Sequence, residues 1–172
     1  ASLRRDGETG VSSLGLAANE FAITAGPPYR MITMRVRIDG CDGPTVRGDG
    51  LLIGTPLGST AYNVSAGGPI VAPGVPAMIV TPIAAHSLSF RPLVTPSDAE
   101  IEIEMVETNA VNGEGTTLVI DGQLTRRLRA GDRLLIRTAD EAARFVTRPD
   151  TSYWRTLTEK MRWAASPKAR GE

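Results

Sequence analysis

The stretch MITMRVRIDG, Met31 to Gly40, sets the reading of this chain. Ile32, Met34, Val36 and Ile38 fall on one side of an extended backbone, and Thr33, Arg35 and Arg37 on the other. A period of two is the mark of a strand with one face in a core and one in water. AEIEIEMVE (99–107) repeats the pattern, with Ile101, Ile103 and Met105 set against Glu100, Glu102 and Glu104. TTLVIDG (116–122) and DRLLIRTA (132–139) add two short strands bounded by turn residues. LLIGTP (51–56) and AMIVTPI (77–83) are continuous apolar runs, suited to strands covered on both faces. AGPPYR (25–30) is expected to close a long-looped hairpin between a strand near Phe21–Thr24 and the one at 31–38. Only SYWRTLTEKMRWAASPK, near the end, changes period. Trp154, Leu157, Met161 and Ala164 recur at three and four, predicting one helix docked on the sheets by a single stripe. The expected fold class is all-β, a β-sandwich with a short C-terminal helix.

Composition narrows the function. At 172 residues the chain suits one domain able to bury a single core, and 41% hydrophobic residues is a globular content. Nineteen basic and nineteen acidic side chains cancel, with three Phe and three Tyr, so no basic groove for nucleic acid is expected. The single cysteine, Cys41, forms no internal disulfide and favours a reducing compartment, as a buried or idle thiol. No apolar run approaches the ~20 residues of a membrane span, and no secretory leader is recognisable. A cytoplasmic protein without a membrane role is the expectation. The opening ASLRRDGETGVSSLG lacks an initial Met and reads as part of something longer.

One segment is denser in glycine, serine and threonine than a plain sandwich needs: GDGLLIGTPLGSTAYNVSAGGPI, residues 48–70. It resembles the hallmark segment of NAD kinases, the ATP-dependent enzymes that make NADP. AANEFAI resembles that family's Asn-Glu strand, TPIAAHSLSFRPLV its following strand and loop, IDGQ its later turn, and SYWRTLTEKMRW its helical tail. The similarity runs from about Leu14 to Trp163. It implies a two-domain enzyme: an N-terminal α/β domain whose Gly-Gly-Asp-Gly motif binds ATP phosphates and supplies the catalytic aspartate, and a C-terminal β-rich domain that binds NAD. Residues 1–172 match the second, with 1–13 as a leading segment and 150–172 as the helical tail. Gly48-Asp49-Gly50 follows Arg47 and opens the hallmark strand, so it matches the family's NAD-contacting Asp-Gly. The Gly-Gly-Asp-Gly motif is absent from this sequence, and the chain by itself is expected to be inactive.

The resemblance implies NAD contacts at Asn19, Glu20, Arg30, Arg47, Asp49, Thr60, Ala61, Tyr62, Asn63, Val64, Ser65, Ala84 and Gln123. The residue types suit that ligand. A ribose diol takes paired acceptors such as the Asn19 amide and Glu20 carboxylate, though such a pair also ends many solvated strands. Asp49 either accepts from a hydroxyl or merely forms an Asp-Gly turn. Tyr62 offers a ring for a base, and Ala61 leaves it room. Thr60 and Ser65 offer hydroxyls, or cap a helix starting there; Gly67, Gly68 and Pro69 turn the chain back. Arg30 and Arg47 suit phosphate oxygens, with a solvated strand arginine as the alternative. Gln123, read alone, is a hairpin turn. His86, the only histidine, is expected to pack rather than react. Leu57 stands where many relatives carry a small polar residue.

The substrates implied are NAD and ATP, with Mg²⁺ on the ATP phosphates, in a homodimer or homotetramer whose sites are built across subunits. An NAD(P)-binding assembly module without catalysis is the alternative. Lipid kinases share the two-domain plan, but TPLGSTAY is the nucleotide-specific form. No Gly-x-Ser-x-Gly elbow suggests a serine hydrolase.

Overall fold

Alternating sequence becomes paired sheets in the computed structural model, which describes residues 1–7, 9–146, 148–150 and 152–163. The strands are β1 (Ser2–Arg4), β2 (Val11–Ser13), β3 (Glu20–Thr24), β4 (Ile32–Ile38), β5 (Cys41–Gly48), β6 (Gly50–Gly54) and β7 (Ala77–Ile83). They continue with β8 (Leu93–Pro96), β9 (Ile101–Glu107), β10 (Ala110–Val111), β11 (Glu114–Gly115), β12 (Thr117–Ile120), β13 (Leu124–Arg127) and β14 (Arg133–Ile136). Among the described residues, two six-stranded sheets form: β2-β1-β14-β9-β4-β5, and β13-β12-β3-β6-β7-β8. All the pairings are antiparallel. Ile32, Met34, Val36, Ile101, Ile103, Met105 and Leu134 of the first sheet share one core with Phe21, Ile23, Leu51, Ile53, Met78, Val80 and Leu118 of the second. Burying each such side chain contributes about 1.5–3 kcal/mol. The expected all-β sandwich is the observed fold.

The polar rows of the first sheet meet across strands. Arg35 bonds Glu104 at 2.9 Å, and Arg37 bonds Glu102 at 3.2 Å and Asp42 at 2.6 Å. Arg137 pairs with Glu100. Each exposed pair contributes at most about 1 kcal/mol, so the ladder fixes register more than stability.

Two expectations change, and some details are added. β3 and β4 lie in different sheets, so AGPPYR carries the chain across the sandwich and closes no hairpin; alternation shows which face is wet, not which strand lies beside it. The hairpin partner of β4 is β5, a strand that holds Gly43 and Pro44. It is an edge strand, where proline is tolerated. Residues 1–13, the leading segment, contribute to the first sheet: β1 pairs with both β2 and β14, and Leu3 is buried. Finally, His86 is exposed and does not pack inside, and Cys41 is exposed too, which removes the buried reading of its thiol and leaves the idle one.

The chain divides into two units, Ala1–Asp140 and Glu141–Glu172. Within the second, α1 (Tyr153–Met161) is a helix that ends at Arg162 in the left-handed region, φ 54°. The predicted stripe narrows to Leu157, while Trp154 is 62% exposed and Met161 sits at the edge of exposure. Ala164 and the rest of the tail lie outside the described residues.

Candidate functional site

The predicted residues gather at two ends of the second sheet. Glu20 opens β3 and pairs with Gly54, the last residue of β6, while Ile120 closes β12 opposite Phe21. Asn19, Glu20, the segment after Gly54 and the Asp121–Gln123 turn therefore share one end. At the other end of the same strands, Thr24 pairs with Gly50 and Gly50 with Ile83, so Asp49 and Ala84 sit there. Arg47 joins them, its carbonyl accepting from His86 N–H at 2.8 Å. Arg30 joins them too: Asn109 Nδ2 donates to the carbonyls of Ala25 (3.2 Å) and Arg30 (2.7 Å). Four strand steps separate the ends, about 14 Å.

The first end is tightly built. The carboxylate of Asp121 accepts three successive backbone N–H groups, from Ala18 (2.7 Å), Asn19 (2.8 Å) and Glu20 (2.9 Å). Asp121 and Gly122 both have positive φ, 49° and 68°, the backbone of a tight hairpin turn that carries the side chain back to β3. Asp121 is absent from the predicted residues. Its only signal in the sequence is an Asp-Gly pair, which reads as a turn and says nothing of its partner some hundred positions away. On the other side, Thr55 N–H donates to Asn19 O at 2.9 Å, and Thr55 Oγ1 to Ala18 O at 2.6 Å. Gly58 lies so close that an added Cβ would stand 2.1 Å from Asn19 O and 2.7 Å from Asn19 Cα. Only glycine permits that approach.

Glu20 is 7% exposed, and its Oε2 is buried with no hydrogen-bond partner among the described residues. Burial raises its carboxyl above the ordinary glutamate value, and the neighbouring Asp121 charge raises it further. A buried, unpaired carboxylate oxygen is costly unless something fills its bonding capacity. Ligand hydroxyls are suited to that place.

The glycine-rich segment then folds as two single turns, Leu57–Thr60 and Tyr62–Ser65. Neither has a side-chain cap, so Thr60 and Ser65 are not helix caps. Asn63 is 1% exposed and spends its amide internally. Its Nδ2 donates to Ser59 O (3.0 Å) and Pro69 O (2.9 Å), and its Oδ1 accepts from Thr81 Oγ1 (2.6 Å). A Cβ on Gly68 would fall 2.0 Å from Asn63 Oδ1, so that glycine makes the space. Ser59 Oγ accepts from Val71 N–H at 3.1 Å and also lies within bonding distance of Pro56 O and Val71 O. These bonds fasten the segment over β7 on the face of the sheet opposite the core, which explains why Leu52 and Ile79 are fully buried. Tyr62 and Ser65 are left exposed, and Thr60, Ala61 and Val64 half-buried.

At the second end only the backbone is fastened. Asp49 N–H donates to Ile83 O (3.0 Å), and Asp49 O accepts from Ala25 N–H (2.8 Å). The side chains of Arg30, Arg47 and Asp49 are exposed, as is Ala84, which adopts a positive φ of 45°. Gln123 is exposed at the first end. The structure thus brings Asn19, Glu20 and Gln123 to one end, runs Thr60–Ser65 from there towards mid-sheet at Thr81, and leaves Arg30, Arg47, Asp49 and Ala84 at the other end. Among the described residues no three His, Cys, Asp or Glu side chains converge to hold a metal ion. Among the described residues no helix is long and apolar enough to cross a membrane.

Residues 18–148 match the model of the ATP-NAD kinase C-terminal domain. The chain is 45% identical over 147 residues to the NAD kinase of Wolinella succinogenes, covering 86% of this chain and 49% of that protein. It is 38% identical over 162 residues to the NAD kinase of Rhodopirellula baltica, covering 94% and 50%. In three dimensions it resembles the yeast NADH kinase complexed with NADH, with a TM-score of 0.85 and 26% identity over 99% of this chain and 50% of that one. It also resembles an NAD kinase from Archaeoglobus fulgidus in complex with ATP, with a TM-score of 0.64 and 29% identity over 81% and 50%. The chain spans about half the length of the curated relatives it matches.

Proposed function

The chain belongs to the NAD kinase family through its C-terminal domain, and from that premise we propose that it supplies the NAD-binding part of an NAD kinase. In the whole enzyme the 2′-oxygen of the adenosine ribose attacks the γ-phosphorus of ATP. The Pγ–O bond to ADP breaks, and the hydroxyl proton passes to a base outside this chain, which has no Gly-Gly-Asp-Gly motif. Such a transfer is governed by positioning and charge neutralisation, so holding the diol still is a catalytic contribution in itself. The observation that carries this reading is the buried, unpartnered Glu20 oxygen at the end shaped by Asp121 and Gly58. Asn19 and Glu20 take the adenosine ribose hydroxyls, Tyr62 packs on the base beside Ala61, and Thr60, Val64 and Ser65 line the approach. Gln123 meets the same ligand from the β12–β13 turn. Asn63 serves by holding the segment in shape.

Arg30, Arg47, Asp49 and Ala84 complete the site from a second chain. The two ends of one sheet open in opposite directions about 14 Å apart, so pairing one end with the other end of a neighbour assembles all the predicted residues around one ligand. A homodimer or homotetramer follows. Mg²⁺ would arrive with ATP on its phosphates, and no step in this chain depends on it. The lone exposed thiol of Cys41 suits a reducing, cytoplasmic setting.

Titration of the chain with NAD by calorimetry, with an assay of NADP formation from ATP and Mg²⁺ on the same sample, tests this reading. Binding without turnover is expected. Turnover would place a base within these residues, and absence of binding would reject the site.

A further inference from the structure

We infer that Asp121 is a positioning residue for the ribose diol: its carboxylate fixes the Ala18–Glu20 backbone so that the Asn19 amide and the Glu20 carboxylate meet the ligand together. The inference rests on the NAD-binding reading above and adds a residue to it. Three backbone donors converge on one side chain, Asn19 and Glu20 on Oδ1 and Ala18 on Oδ2. Asp121 N–H returns a bond to Glu20 O at 3.1 Å, so the β12–β13 turn and the start of β3 grip each other from both sides. A carboxylate accepting several N–H groups holds them more firmly than a neutral acceptor would. Strand pairing alone leaves this stretch loose, because Ala18 and Asn19 precede the first paired residue of β3.

The same carboxylate acts on Glu20 through charge. Asp121 is the charged group facing Glu20 from the β12–β13 turn. Asn19 and Phe21 beside it on its own strand are uncharged, as is the facing segment Gly54–Ala61. Binding a diol through the ionised Glu20 is therefore linked to the presence of Asp121, and Asp121→Asn lowers the pH at which Glu20 ionises.

The test uses the 172-residue chain and two variants. Asp121→Ala removes all three acceptors, and Asp121→Asn keeps Oδ1 but replaces the acceptor facing Ala18 and removes the charge. Amide exchange by NMR is expected to quicken about tenfold or more at Ala18, Asn19 and Glu20 in Asp121→Ala. In Asp121→Asn, carbon-detected titration is expected to show the Glu20 midpoint moving down. Calorimetry is expected to show NAD binding about tenfold weaker at pH 7, with the midpoint of its pH profile displaced in the same direction as Glu20. A purely structural role would weaken binding equally at every pH. Unchanged exchange and an unchanged Glu20 midpoint would overturn the clamp itself. A wild-type chain that binds NAD alongside an Asp121→Asn chain that binds it equally well would overturn the positioning role alone. A wild-type chain that binds no NAD, with the exchange pattern intact, would remove the proposed function and the positioning role with it.

Discussion

The two ends of the second sheet are built in opposite ways. At the Glu20 end, two side chains, Asp121 and Thr55, and a glycine act on the backbone, and a buried carboxylate oxygen has no partner among the described residues. At the Asp49 end backbone bonds and the buried side chains of Asn109 and Thr116 hold the chain, and the functional side chains stand in solvent. The first end is organised before any ligand arrives, and the cost of holding an acid in a dry place falls on the fold. The second fixes its backbone but leaves its functional side chains free to move. Under the proposed sharing of the site between chains, a preset end that recognises a diol would meet one whose side chains adapt to a partner.

That contrast can be broken most sharply at Gly58. Gly58→Ala drives a methyl into the Asn19 backbone, so urea unfolding should show a loss of about 3 kcal/mol and NAD binding should vanish. If stability and binding both survive, the first end is not rigid. Glu20→Gln comes next. It removes the charged acceptor, and NAD affinity should fall about 10- to 100-fold by calorimetry. Apo stability should move the other way. The folded-state pKa of Glu20 lies above its ordinary value of 4.5, so the folded chain holds that proton more tightly than the unfolded one. Wild-type stability contributed by this group is therefore present below pH 4.5 and is lost as pH rises through the raised value. Melting profiles across that window should slope downward in the wild type and flatten in Glu20→Gln.

Asp49→Ala should be gentler on the fold, within about 0.5 kcal/mol of wild type, because only an exposed side chain is lost. Its NAD affinity should fall about tenfold. Mixing it with Glu20→Gln is the sharpening experiment: in a site shared between chains, about a quarter of the sites of a randomly mixed dimer regain both intact ends. No recovery would place both ends in one chain's site. Tyr62→Ala is the smallest expected effect. The ring is 43% exposed, so stability should hold while affinity falls about fivefold, the scale of one aromatic contact.

The sequence revealed faces better than neighbours. Ile32, Met34 and Val36 announced a core because alternation records which side is dry, and the acids of β9 announced the opposite row. Nothing in that alternation says that β4 turns to β5 rather than back to β3, since pairing is a property of the whole sheet. β5 was hidden because glycine and proline are turn residues everywhere except on an unpaired edge. In the site, Asn19, Glu20 and Tyr62 were legible as types suited to a nucleotide, and the family resemblance marked them. That Asn63 would turn inward to Thr81 was not legible, because an amide in a polar loop looks the same whether it faces ligand or protein. Asp121 was hidden for a further reason: its work is done on the backbone of residues a hundred positions earlier.

The first strand has its own consequence. β1 is held by β2 on one side and by β14 on the other, with Leu3 opposite Leu134, so the β1–β2 hairpin waits for β14 before it joins the rest of its sheet. During synthesis at roughly 5–20 residues per second that wait lasts seconds, and closure over so long a loop is a slow class of folding event. The β1–β2 hairpin therefore keeps one edge open to other chains until Arg133–Ile136 leave the ribosome.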